Sequence, residues 1–120
     1  MAVNTSNVKQ IKSKIVVEAA NGPTSPEADQ YLHEKGIPVV PDILANAGGV
    51  TVSYFEWVQG LMHLFWSEAE VNQRLEQITD RACDQIFDLS KKSGLRLRMA
   101  ALRIGIGRLA EAKKLRGLYP

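Results

Sequence analysis

Asn21 and Asn46 are the residues of this 120-residue chain whose types and positions first suggest binding chemistry. Each closely follows a short apolar run that reads as a strand. In open α/β sheets, ligands lie in the crevice beyond the carboxyl ends of parallel strands. A side-chain amide offers both donors and an acceptor, so two amides there could hold a carboxamide or a ribose. An asparagine in a turn can equally satisfy its own backbone, and spacing alone leaves both roles open. Gly48-Gly49 follows Asn46. Such a pair lets backbone approach a ligand and exposes amides at a helix start, although it can also be a plain tight turn. Val50 and Ser53 are three residues apart, on one face of the helix that begins there. With Ser53 in the first turn, its hydroxyl would sit where a helix amino terminus favours an anion such as a carboxylate. An ordinary bond to a nearby carbonyl is the competing role for Ser53.

The other reactive side chains are less informative. His33 and His63 lie far apart and have no partner at metal-ligand spacing, so no metal site and no catalytic group is assigned. Cys83 lies beside an apolar stripe without a candidate base and reads as core. Gly105-Ile106-Gly107 is not preceded by a strand and lacks the third glycine of a phosphate loop. Tyr54, Phe55, Trp57, Phe65 and Trp66 read as one packed aromatic cluster.

The elements that must position these residues follow from patterning. Lys14 to Ala20 is β-branched and mostly apolar, as a strand buried on both faces is, and Asn21-Gly22-Pro23 stops it. Thr24 with Glu27 forms a capping box for a helix from Pro26 to about Lys35, with Gly36 as its stop. Ile37 to Pro41 is the next strand, and its two prolines confine pairing to its middle or place it at an edge. Strand, helix, strand over this length is a βαβ unit with parallel strands and a right-handed crossover. A loop leads to a helix carrying Val50 through Gln59. Ser67 with Glu70 forms a second capping box. It opens a long helix with an apolar stripe of Val71, Leu75, Ile78, Ala82, Ile86 and Leu89, ending at Ser93-Gly94. A last helix spans about Arg98 to Lys114, with Met99, Leu102, Ile106, Leu109 and Ala112 as its stripe. The expected class is α/β. Residues 1–60 form a partial Rossmann-like half with few parallel strands, and 61–120 a helical carboxyl-terminal part of the same domain.

Bulk properties narrow the function classes. Nothing resembles a secretory signal or a membrane span. One cysteine excludes an internal disulfide and fits a reducing compartment, so a cytoplasmic location is expected. The net charge of +2 conceals nine basic residues and one acid from Lys91 onward, against six basic and twelve acidic residues before it. A solvated helix face, or a tail docked on acidic neighbours, explains this better than nucleic-acid binding, because no aromatic residues are interleaved to stack bases.

Glu18-Ala-Ala-Asn21-Gly-Pro-Thr24 and Val40-Pro-Asp-Ile-Leu-Ala-Asn-Ala-Gly-Gly-Val-Thr-Val-Ser-Tyr-Phe-Glu-Trp57 resemble, in order and separation, the coenzyme-domain core of amino-acid dehydrogenases of the glutamate, leucine, phenylalanine and valine type. Arg108-Leu-Ala-Glu-Ala112 with Arg116-Gly117 resembles that family's last helix, and Asn7 through Lys14 its polar lead-in. The resemblance covers essentially the whole chain, which looks like the carboxyl-terminal portion of such an enzyme. It implies that Asn21 and Asn46, with Gly48 and Gly49, contact NAD or NADP. It implies that Val50 lines the substrate side-chain pocket and that Ser53 bonds the distal carboxylate of glutamate or 2-oxoglutarate. Thr51 through Trp57 resembles the glutamate type, so glutamate is the expected substrate. The implied reaction is reversible oxidative deamination of L-glutamate. The family's catalytic lysine and aspartate and its Gly-rich phosphate loop would lie upstream, so the chain alone is expected to be inactive. A homo-oligomer is expected, with an open sheet edge to cover. A freestanding half-domain used for binding or assembly is the alternative.

Overall fold

The two strands are short because their sequence permits little else. In the computed structural model, which describes residues 1–117, β1 (Val16–Val17) and β2 (Val39–Val40) pair in parallel, Val16 opposite Val39 and Val17 opposite Val40. Val16 N donates to Pro38 O at 3.0 Å and Glu18 N donates to Val40 O at 3.1 Å. Pro38 and Pro41 bracket β2, and a proline has no N–H for a ladder. The prolines thus confine pairing to the middle of the expected run. The expected seven-residue strand around β1 shrinks with its partner.

Alternate side chains of β2 point to opposite faces, and each face is covered. Val39 packs with Val8, Ala28 and Leu32, from the 3-10 turn Val8–Gln10 and from α1 (Pro26–Glu34). Val40 packs against a second core of Leu44, Ile86, Leu97, Ala100 and Ala101. Those residues come from α2 (Asp42–Ala45), α4 (Glu68–Ser93) and α5 (Leu97–Arg116). Helices on both faces of a parallel pair make this the expected partial α/β layer. α3 (Ala47–Met62) joins α2 to α4.

Several boundaries differ from expectation for local reasons. Ser25, not Thr24, caps α1: its hydroxyl accepts from Ala28 N, and Pro26 occupies the first helical position. Thr24 is buried and forms a parallel bridge with Val3. The Ser67–Glu70 capping box forms as expected. α2 and the start of α3 occupy what reads as a loop: the single turn that Asp42 begins is followed at once, beyond Asn46, by the 16-residue α3. α3 runs on to Met62 and stops at His63, the non-glycine residue with positive φ (52°) among the described residues.

The stripe on α5 is corrected. Leu97, Ala100, Ala101 and Ile104 face the core, while Met99, Leu102, Ile106 and Leu109 are exposed. Two small alanines let α5 approach its neighbours closely, which the larger residues opposite would prevent. Ile78, expected inside the α4 stripe, is also exposed. The aromatic cluster divides: Phe55 and Trp66 pack edge-to-face at 5.7 Å with Arg74 over the indole, whereas Tyr54, Trp57 and Phe65 are exposed. The radius of gyration is 17.3 Å, against about 14 Å for a compact chain of this length. The long helices α4 and α5 therefore carry surface that no core covers.

Candidate functional site

The carboxyl ends of β1 and β2 deliver Asn21 and Asn46 to the same place. Asn46 Nδ2 donates to Asn21 Oδ1 at 2.6 Å. Neither side chain is spent on its own turn: Asn46 is the residue before α3 and does not cap it. Of the two roles open from spacing, self-satisfaction of each turn is not what these side chains do. Among the described residues, Asn21 Nδ2 and Asn46 Oδ1 make no further hydrogen bond. The whole Asn21 amino group and the Asn46 carbonyl oxygen therefore remain for something else, which suits a carboxamide or sugar hydroxyl.

A charge network that sequence reasoning missed stands directly behind the pair. Glu18, at the end of β1, is 2% exposed. Its Oε2 accepts from Asp42 N at 2.9 Å and from Arg98 Nη2 at 2.6 Å. Asp42 Oδ1 accepts from Arg98 Nη1 at 3.0 Å, and Asp42 Oδ2 accepts from Gly22 N at 2.8 Å. Asp29 on α1 lies 4.0 Å from Arg98 Nε and takes Arg96 Nη1 at 2.8 Å. The Gly22 N–H, then the Ile43 N–H and Arg98, hold the Asp42 carboxyl below its ordinary pKa against the opposing effect of burial. Burial disfavours the charge of Arg98, but Glu18, with Asp29 and Asp42, outweighs it and raises the pKa. The signal was available: a lone carboxylate inside an apolar strand needs a cationic partner when buried. Arg96 and Arg98, the first arginines of the basic segment, dock on acidic neighbours. Arg103, Lys113, Lys114 and Arg116 are exposed.

Gly48 and Gly49 lie within the first turn of α3, two residues deeper in the helix than expected. No side chain caps that helix start, and a Cβ on Gly49 would meet open space. The amides of a first helical turn have no intrahelical acceptor, so they can face an anion or polar ligand. Ser53 is corrected: with α3 beginning at Ala47, it is the seventh helical residue rather than part of the first turn. It lies about 10 Å along the axis from Asn46, where the helix-terminus field has fallen off. The back-bond open to a helical hydroxyl is made instead by Thr51, to Ala47 O at 2.9 Å. Ser53 has no hydrogen bond among the described residues. Ser53 and Val50 are exposed, one turn apart.

Cys83 is partly buried against the second core, and burial pushes its thiol pKa up, which removes it from nucleophilic roles. His33 and His63 are exposed. Among the described residues there is no cluster of three His, Cys, Asp or Glu that could hold a metal, and no helix is long and apolar enough to cross a membrane.

Residues 1–117 match the model of the Glutamate/Leucine/Phenylalanine/Valine dehydrogenase family. The NAD-specific glutamate dehydrogenase of Staphylococcus aureus (strain COL) is 54% identical over 115 residues, covering 96% of this chain and 28% of that protein. The glutamate dehydrogenase of Thermotoga maritima is 51% identical over 119 residues, covering 99% of this chain and 29% of that protein. The crystal structure of the hetero-hexameric glutamate dehydrogenase of Thermus thermophilus superposes with a TM-score of 0.94 at 44% identity, covering 99% of this chain and 29% of the other. The chain thus spans a little over a quarter of the length of the relatives it matches. It belongs to the glutamate/leucine/phenylalanine/valine dehydrogenase family.

Proposed function

We propose that this member of the family supplies the coenzyme-facing carboxyl-terminal part of an NAD(P)-dependent glutamate dehydrogenase. The observation that carries this reading is the Asn21–Asn46 pair, bonded across the ends of two parallel strands with the Asn21 amino group and the Asn46 carbonyl oxygen left over. In this reading Asn21 and Asn46 hold the nicotinamide nucleotide through those two groups, and Gly48 and Gly49 let it approach the start of α3. Val50 lines the substrate pocket. Ser53, unbonded within the chain, donates to the distal carboxylate of glutamate. The nucleotide supplies the hydride acceptor for the substrate α-carbon, and hydrolysis of the resulting imine releases 2-oxoglutarate and ammonia. This chain binds and orients. Its described side chains at the site include no lysine or histidine to exchange the protons, so general acid–base work falls to parts of the enzyme outside it. A homo-oligomeric, cytoplasmic enzyme using NAD or NADP completes the reading. The S. aureus relative is named NAD-specific, which favours NAD.

The test is kinetic. In the complete enzyme, Ser53→Ala removes a hydrogen bond to a charged group and raises the glutamate KM about tenfold, with nucleotide affinity nearly unchanged. An unaltered glutamate KM sinks the assignment of Ser53. The 120-residue chain alone should reduce no nucleotide with glutamate, and genuine turnover by it would overturn the division of labour. Titrating the chain with NADH, followed by nucleotide fluorescence, separates a self-sufficient half-site from one that needs the rest of the enzyme.

A further inference from the structure

We propose that Arg98 is a positioning residue: its guanidinium, gripping Glu18 and Asp42 at once, sets the separation of the two strand-end turns that carry Asn21 and Asn46. The inference rests on the reading of the asparagine pair as the nucleotide-contacting site, but its geometry stands apart from any ligand.

The connections run in one direction. Arg98 lies in the first turn of α5, about 80 residues from Glu18 in sequence. Nη2 takes Glu18 Oε2 at 2.6 Å and Nη1 takes Asp42 Oδ1 at 3.0 Å. Glu18 ends β1, and Asp42 opens α2 immediately beyond β2. Asp42 closes the loop twice: its own N–H donates to Glu18, and its second carboxylate oxygen accepts from Gly22 N at 2.8 Å. Gly22 is the residue after Asn21. Asn46 N donates to Asp42 O at 3.0 Å, so Asn46 rides on the single turn that Asp42 begins. Each asparagine is therefore one residue or one helical turn from an atom that this network holds. Arg98 touches neither.

Alternative anchors are weak. The ladder pairs just two residues on each strand, and a two-stranded sheet is marginal without packing. Val17 and Ile15 are exposed, so β1 has no packing of its own on one side. α2 is a single turn. A planar fork with fixed donor geometry is the group suited to span two carboxylates, and a lysine ammonium is a point charge that cannot do so in the same way.

The experiment uses the chain itself, labelled with nitrogen-15. Arg98→Lys keeps the charge beside Glu18 and Asp42 and removes the fork. The expected result is that the Gly22 backbone amide and the Asn46 side-chain amide resonances both shift, and that exchange of the Gly22 amide quickens at least tenfold, while the amides of α1 around Leu32 stay in place. A folded Arg98→Lys chain in which both signals are unmoved overturns the proposal. If that variant does not fold, Asp42→Asn carries the same test, because it leaves a single carbonyl oxygen for the partners that two carboxylate oxygens now serve. Unmoved Asn46 signals in that folded variant also overturn it. No nucleotide enters these readouts. If Asn46→Ala in the complete enzyme leaves nucleotide affinity unchanged, the functional reading fails while the positioning role stands.

Discussion

The ends of β1 and β2 and the outer faces of α3 and α5 are built on opposite terms. At the strand ends most polar groups find partners inside this chain: Glu18, Asp29, Asp42, Arg96 and Arg98 interlock, and the two asparagines bond each other while keeping groups free for a ligand. On the outer faces the apolar groups find none. Val50, Tyr54, Trp57 and Leu61 follow one another at helical spacing along α3, all exposed. Leu102, Ile106 and Leu109 do the same on α5, with Leu109 73% exposed. Contiguous exposed apolar surface marks contact with something else. In a chain spanning a little over a quarter of its relatives' length, the charge network behind the asparagines closes within the chain and the apolar faces do not. Mutations should therefore be costly behind the asparagines and cheap on the outer faces.

The largest effect should come from cutting the network at its hub. Arg98→Met leaves Glu18 buried with no cation to balance it. Removing one partner of a buried ion pair costs about 3 kcal/mol, at the low end because Arg98 keeps some contact with water. Urea denaturation of the chain should show the midpoint fall accordingly. A variant as stable as the parent would mean that the carboxylates, not Arg98, adjust to burial, and the contrast between the regions would lose its basis.

A smaller effect is expected from pH. The folded-state pKa of Asp42 lies below the ordinary value of 3.8, chiefly because the Gly22 N–H donates to it. For a depressed carboxylate the added stability is present above the unfolded pKa and is lost as pH falls through the folded one. Stability should thus begin to decline as pH falls toward 3.8 and be lost as it passes below that through the folded pKa, and Asp42→Asn should flatten part of that decline. An equally steep decline in both chains would assign the acid sensitivity to other carboxylates.

The sequence displayed one region better than the other. The βαβ order, both prolines' effect on pairing, and the Ser67 cap were legible because each depends on residues within a few positions. Asn21 and Asn46 were legible as strand-end residues, though their mutual bond was not. Glu18, Asp42 and Arg98 were missed as a unit because the contact joins residues 80 apart, and no local period encodes it. The α5 stripe was misassigned for a different reason. Two apolar sets fit a helix there, and the larger side chains outrank alanines in any hydrophobic pattern. Close approach to β2 and α4 selected the set with Ala100 and Ala101 instead. Ser53 moved out of the first turn because a helix that starts without a side-chain cap leaves no sequence mark of where it begins.

The smallest effect discriminates most sharply between the two faces of one helix. Leu97 and Leu109 are both leucines on α5, but Leu97 is buried against Leu44 and Ile86 while Leu109 faces outward. Leu109→Ala removes no buried contact and replaces leucine by a slightly better helix former. The stability of the isolated chain should change by no more than about 0.5 kcal/mol. Leu97→Ala deletes buried methyl groups and should cost about 2 kcal/mol or more. Equal costs at the two positions would mean that the outer face of α5 is already covered in the isolated chain, by association of copies. Sedimentation equilibrium of the parent would then show a species heavier than 13.3 kDa. Unequal costs, with a monomer by sedimentation, would leave the face uncovered in the isolated chain.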